Sequence, residues 1–188
     1  MEKKLSELIS SEIGYLKDIK INIKNETIKF DAKMDNIENV DLSVLPIKNT
    51  LVIYIIKANS DLELDYNKAN ANREGLINGR NEEKKKYAVS RISEESNWTK
   101  ENKCLYVGQS KDIKKRLKEH LFINTGKDTY ALRLPRIFES GSVSITLYEF
   151  SIDYNDNELN NKHLRDIQVF EDLLWQEYKP LFGRCGAK

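Results

Sequence analysis

Residues 104 to 121 read Cys-Leu-Tyr-Val-Gly-Gln-Ser-Lys-Asp-Ile-Lys-Lys-Arg-Leu-Lys-Glu-His-Leu, and the fold is legible outward from them. Leu105 to Val107 is an apolar run of β-formers, and Gly108 supplies a permissive backbone for leaving a strand. Ser110 stands where a helix N-cap belongs, with Asp112 in the first turn against the positive end of the helix dipole. Beyond it, Ile113, Arg116, Leu117, His120 and Leu121 recur at helical spacing on one face, which leaves Lys114, Lys115, Lys118 and Glu119 outside. The expectation is a strand, a glycine turn and a basic helix. Arg116 and His120 sit on the inward stripe, where apolar residues are expected.

The chain of 188 residues has room for one domain with an appendage, and 39% hydrophobic residues are enough for a buried core. Charged residues are abundant but cancel to a net charge of +1, so a polyanionic partner has to meet a local basic face. Lys111 to Lys118 carries five positive charges against one negative. That asymmetry suits a phosphate-tracking patch and equally suits an ordinary solvated lysine face. The nucleic-acid-binding candidates are Lys111, Lys114, Lys115 and Lys118, joined by Arg133 and Arg136 from the next segment. Cys104 and Cys185 have no metal-ligand spacing with each other or with His120 and His163, which argues against structural zinc. With no apolar leader after Met1 and no apolar run of membrane length, the expectation is a soluble cytoplasmic protein without a membrane partner.

Taken in order, residues 2 to 17 have amphipathic helical spacing. Residues 19 to 30 alternate as a hairpin or two short strands turning at Asn25-Glu26, and residues 31 to 50 read as a loop containing Pro46. Leu51 to Ile56 is the most hydrophobic run, as expected of a central strand buried on both faces. Residues 58 to 103 are polar and read as a helical excursion, with helices expected over Asp61 to Arg73 and Asn81 to Ser93. Asp128 to Phe138 reads as a short helix that Pro135 kinks or begins, with Arg133 and Arg136 reaching out. Gly141 then releases an alternating strand, and a last helix spans Asn161 to Tyr178, stopped by Lys179-Pro180. Its inward stripe is Leu164, Ile167, Leu174, Trp175 and Tyr178, with Glu171 in the middle. A carboxylate in that place calls for an arginine, a metal ion or a water-filled cleft.

Arg116, His120 and Glu171 thus share one anomaly, each being polar on an inward stripe. With Tyr54 and Tyr106 from the two strands they offer a cation, an imidazole, two phenols and a carboxylate. That set suits phosphodiester hydrolysis, in which a hard metal on a carboxylate polarises an oxygen, an arginine meets phosphorane charge and a phenol or imidazole handles a proton. It equally suits a plain Arg116 to Glu171 ion pair joining two helices.

These residues resemble the GIY-YIG nucleases. Val52-Ile53-Tyr54 stands for the first motif and Tyr106-Val107-Gly108 for the second; Arg116 follows Gly108 by eight residues, His120 follows Arg116 by four, and Glu171 precedes Pro180 by nine. Val52 replaces the motif's glycine, Gly183 lies where many members have asparagine, and 52 positions (106 − 54) separate the two motif tyrosines, far more than in compact members. The resemblance implies a small α/β (α+β) domain with a central mixed or antiparallel three-stranded sheet flanked by helices. Residues 51–188 would form it, with a helical insert at about 58–103, and residues 1–50 would be an N-terminal extension packing on it. It further implies a metal-dependent DNA endonuclease with one Mg²⁺ or Mn²⁺ on Glu171, and the long insert makes a restriction or defence type the expectation. Tyr54 would be the base or orient the attacking water, and Tyr106 would help place that tyrosine and the phosphate. Arg116 would stabilise the phosphorane, and His120 would assist at the phosphate or near the leaving group. Double-stranded DNA is the expected partner, and symmetric cutting of both strands would favour a homodimer. The alternatives are an inactive nucleic-acid-binding module of the same fold and a nuclease of DNA repair acting on branched DNA.

Overall fold

The computed structural model describes residues 20–31, 51–78, 89–121, 130–151 and 161–185. The helix expected over residues 2–17, the loop around Pro46 and the expected helical residues 81–88 lie outside them.

The strand β2 (Leu51–Ala58) behaves as its composition demands, with no side chain from Leu51 to Ile56 more than 4% exposed. It is flanked on both edges by β3 (Cys104–Ser110) and β4 (Ser140–Ser151), and β4 is flanked in turn by β1 (Lys20–Asp31). The result is a four-stranded sheet of order β1-β4-β2-β3 in which every neighbouring pair is antiparallel. The expected three-stranded sheet is therefore one strand short, because β1 joins it. No hairpin forms at Asn25-Glu26. All 12 residues of β1 pair with β4, and Thr146 Oγ1 donates to Asn25 Oδ1 at 2.8 Å. A partner strand of equal length rewards one long extended segment more than local turn chemistry rewards two short ones.

Four α-helices and a short 3-10 turn (Glu95–Asn97) complete the described fold: α1 (Tyr66–Asn78), α2 (Ile113–Leu121), α3 (Leu134–Phe138) and α4 (Asn161–Tyr178). The cap of α2 is Asp112 and not Ser110. Asp112 Oδ1 accepts the Lys115 N–H at 3.1 Å, three residues on, while Ser110 Oγ accepts the Asp112 N–H at 3.0 Å and shapes the approach. Gly108 does not end the strand either, since β3 continues through it to Ser110. Within the expected helix over Asp128 to Phe138, whose first two residues lie outside the described ones, residues 130–133 are not helical and α3 carries Pro135 in its first turn, starting from a left-handed Arg133 (φ 58°, ψ 43°). Residues 89–93, expected to be helical, are extended instead, with Ile92 bridging Phe182 and Val89 bridging Ala131.

The alternation of β2 gives each face its own core. Val52, Tyr54 and Ile56 pack with Ile113, Leu117 and Leu121 of α2, whereas Leu51, Ile53 and Ile55 pack with Ile167, Phe170 and Leu174 of α4. Thus α2 and α4 cover opposite faces, and β3 is the edge strand around which they can meet. Among the described residues no helix is long and apolar enough to cross a membrane.

Candidate active site

The edge strand supplies the first side chain. Ile56 pairs with Tyr106 and Lys57 with Cys104, so Leu105 is the extra residue of a bulge, and both Leu105 and Tyr106 turn toward the α2 side of the sheet. Tyr106 stacks beside Tyr54 with ring centroids 5.9 Å apart and planes 26° from parallel. Gly108 pairs with Tyr54 across the strands. A Cβ there would lie 2.5 Å from Tyr106 Cε1 and 2.9 Å from the Tyr54 hydroxyl, so glycine is needed because two rings cover its Cα.

Tyr54 is wholly buried, and its hydroxyl lies 2.9 Å from His120 Nε2 and 3.2 Å from Arg116 Nε. Burial pushes its phenol well above the ordinary tyrosine value; Tyr106 adds to the rise, the charge and hydrogen bond of Arg116 oppose it, and Glu171 adds a smaller rise. His120 is equally buried and accepts the Leu132 N–H on Nδ1 at 3.0 Å. Its inward position on the α2 stripe is therefore filled by hydrogen bonding instead of apolar contact.

Arg116 takes its ion-pair partner from its own helix. Nη1 donates to Glu119 Oε2 at 2.9 Å, and Nη2 donates to the Tyr106 hydroxyl at 3.4 Å and to the Tyr130 carbonyl. With the Nε bond to Tyr54, four of the five guanidinium N–H groups have partners. Burial works against the charge, but the phenol oxygens of Tyr54 and Tyr106 and the Glu119 carboxylate outweigh it and drive the pKa up. Glu119, expected on the outer face, is only 4% exposed. A buried guanidinium has to be accompanied by a counter-charge, and the i+3 position provides it.

A cleft of about 510 Å³ opens along β3, and Tyr106, Arg116 and Glu171 are among its walls. Tyr54 and His120 are not; they lie behind Tyr106 and Arg116. Glu171 arrives from α4 on one face of the sheet and Arg116 from α2 on the other. Gln109 and Gln168 line the same cleft, with Gln109 Nε2 donating to Gln168 Oε1 at 2.8 Å and Gln168 Nε2 to Asp172 Oδ1 at 3.0 Å. Gly183 also lines it with φ +106°, a conformation that side chains rarely adopt, and a Cβ there would come within 3.3 Å of the Tyr106 ring. The backbone thus favours glycine at this position.

Among the described residues no group of three or more histidines, cysteines and acids could hold a metal ion. Glu171 is the single carboxylate among the residues that line the cleft. That donor set fits a hard cation which keeps most of its water and shares substrate oxygens, such as Mg²⁺ or Mn²⁺.

The basic candidates separate. Lys111 and Lys115 are exposed, Lys114 and Lys118 half-buried, and none of the four lines the cleft. Arg133, expected to reach out, is completely buried, which removes it from any DNA-facing surface; Arg136 is half-buried. Sequence reasoning passed over Glu119, Gln109, Gln168 and Tyr130 as site residues. For Glu119 a signal existed, because a cation on an inward stripe with a carboxylate three residues later is a candidate buried pair. The others belong to the cleft only through tertiary contacts.

The family model for the GIY-YIG catalytic domain matches residues 87–180. The matched stretch contains Tyr106, Arg116, His120 and Glu171, while Tyr54 precedes it. No curated protein and no solved structure matches the chain.

Proposed function

The chain belongs to the GIY-YIG catalytic domain family, a family of nucleases that act on DNA, and we propose that it is a divalent-metal-dependent endonuclease of restriction or defence type that hydrolyses phosphodiester bonds in double-stranded DNA. The observation that carries this reading is the meeting of Arg116 and Glu171, brought from helices on opposite faces of the sheet, on one cleft beside Tyr106. A structural ion pair needs no cleft. Hydrolysis of a polyanion needs one.

Glu171 would hold the metal, which supplies Lewis-acid polarisation of a phosphoryl oxygen when bound. The remaining work falls to the chain's own groups. Arg116 is held by Tyr54, Glu119 and the Tyr130 carbonyl, so its charge waits in place for phosphorane oxygens without reorganising. Tyr106 presents its hydroxyl beside that guanidinium on the cleft wall and is the phenol placed to meet water or substrate. Tyr54, which family resemblance makes the base, has a sealed hydroxyl and a raised pKa, and its direct contact with Arg116 fits it to position the guanidinium. His120 supports Tyr54 from behind. Exposed Lys111 and Lys115, with half-buried Lys114, Lys118 and Arg136, would extend the surface for backbone phosphates. Symmetric cutting of both strands calls for two such sites and hence a homodimer.

The test is cleavage of plasmid and branched DNA in Mg²⁺ or Mn²⁺ by the wild type, Glu171→Ala and Arg116→Ala. Cleavage by the wild type and its loss in both variants is the expected result. An inert wild type on every substrate and in both metals would defeat the enzyme reading and leave the binding module, for which the sealed Tyr54 hydroxyl speaks. Equal cleavage by the wild type and Glu171→Ala would remove Glu171 as the metal ligand.

A further inference from the structure

We propose that Arg91 and Arg184 form a phosphate clamp on the rim of the cleft, gripping the nucleic-acid backbone beside the bond on which Arg116 and Glu171 act. The proposal rests on the nuclease reading and adds a second binding wall to it, built by the segment between the two motifs and the segment after α4.

Both arginines line the cleft and both are exposed. The segments that carry them are tied together: Gly183 N–H, next to Arg184, donates to the Arg91 carbonyl at 2.8 Å, Ile92 bridges Phe182, and Ser93 N–H donates to the Leu181 carbonyl at 2.8 Å. The joined segments are moored to the sheet where Leu181 and Phe182 N–H donate to the Cys104 and Leu105 carbonyls at 2.9 and 3.0 Å. The β3 edge is therefore covered at one end, and the cleft begins where that cover stops.

Charge gives this wall its chemistry. Other arginines nearby have ion-pair partners, Arg116 in Glu119 at 2.9 Å and Arg73 in Glu74 at 2.7 Å. Arg91 and Arg184 have no ion pair among the described residues. Of the four charged residues on the cleft, three are arginines and one is Glu171, and a cation on that carboxylate would leave the cleft more positive still. Two uncompensated guanidinium forks on an ordered backbone suit phosphate oxygens, which they can meet bidentately. A lone exposed arginine is commonplace. Two on one cleft, carried by segments whose backbones are joined at residues 91–93 and 181–183, are a binding wall.

The experiment is fluorescence anisotropy of a short fluorescein-labelled DNA duplex in EDTA across a salt series. It compares the wild type, Arg91→Gln/Arg184→Gln, and Lys29→Gln, which removes a charge on the opposite edge strand. Removing two phosphate contacts should lower the slope of log affinity against log salt by about 1.8, at about 0.9 per phosphate. Cleavage by the double variant should fall at low protein concentration and be recovered as protein is raised. Lys29→Gln should keep the wild-type slope. The clamp is overturned if the double variant keeps the slope, if Lys29→Gln lowers it as much, or if no protein concentration recovers cleavage. A wild type that cleaves while the double variant binds unchanged defeats only the clamp; a wild type that neither binds nor cleaves DNA defeats the nuclease reading as well.

Discussion

His120 donates its Nε2 proton to the Tyr54 oxygen at 2.9 Å. The direction follows from the other ring nitrogen, since Nδ1 accepts the Leu132 N–H at 3.0 Å and a neutral imidazole then carries its hydrogen on Nε2. The Tyr54 oxygen consequently receives two donors, from His120 and Arg116.

Tyr54→Phe strands both donors in a buried place. At about 1 to 3 kcal/mol for each unsatisfied buried group, the substitution should lower stability by a few kcal/mol in urea unfolding and reduce cleavage through loss of Arg116 placement. Tyr106→Phe should spare stability far more and still reduce cleavage. An unaltered unfolding midpoint in Tyr54→Phe would show that its hydroxyl does not hold both groups.

The buried Arg116–Glu119 pair separates charge pairing from chemistry. Breaking one partner of such a pair costs about 3 to 5 kcal/mol, so Arg116→Ala and Glu119→Ala should each destabilise the protein markedly. The double variant should recover part of that loss but none of the cleavage. Glu119→Gln, which keeps a hydrogen-bond acceptor, should retain more activity than Glu119→Ala. Full additivity of the two single effects on stability would count against the pair.

Gly108→Ala places a methyl within 2.9 Å of the Tyr54 hydroxyl and 2.5 Å of the Tyr106 ring. Neither Tyr54, sealed in the core, nor the strand backbone can retreat cheaply, so the Tyr106 ring on the cleft must move. Cleavage should fall by about a hundredfold or more, the scale that misplacement by an ångström can cost. Near-wild-type cleavage would mean that the two tyrosines need not be held together.

Alkaline unfolding should begin at Cys104. Burial raises its thiol from the ordinary 9.0 to about 12, with nearby Lys57 opposing the rise. The folded pKa lies above the unfolded one, so the contribution is complete below pH 9 and is lost as pH climbs toward 12. Three pH units at about 1.4 kcal/mol each amount to about 4 kcal/mol. Tyr54, raised in the same direction, adds a second loss that starts at its ordinary value of 10.0. Cys104→Ala should flatten the first part of the decline in urea unfolding measured against pH, and a curve unchanged from the wild type would contradict the buried thiol.

Much of the fold could be read from side-chain periodicity. The central strand, the basic helix and the last helix occur where spacing puts them, because burial on one or both faces leaves a regular trace in sequence. Asn25-Glu26 and Gly108 misled for the same reason as each other. Both carry local turn chemistry, yet strand pairing with β4 in one case and with β2 in the other outweighs it. Residues 89–93 looked helical because Tyr87, Ala88, Arg91 and Ile92 recur at helical spacing, whereas the backbone partners of residues 89–93 lie at residue 131 and residues 181–183.

Sequence alone determined that a tyrosine, an arginine and a carboxylate would stand at inward positions on a strand and two helices, since polar residues on apolar stripes betray themselves by their period. It also carried the family, through the ordered spacing of those residues. Only the tertiary structure decided which of them face a common cleft. Helices on opposite faces of a sheet can bring Arg116 and Glu171 together only around an edge strand, and which strand lies at the edge depends on long-range pairing. The same packing sealed Tyr54 and His120 behind the cleft, drew Glu119 inward to balance a buried charge, and set Arg91 beside Arg184 across residues far apart in the chain.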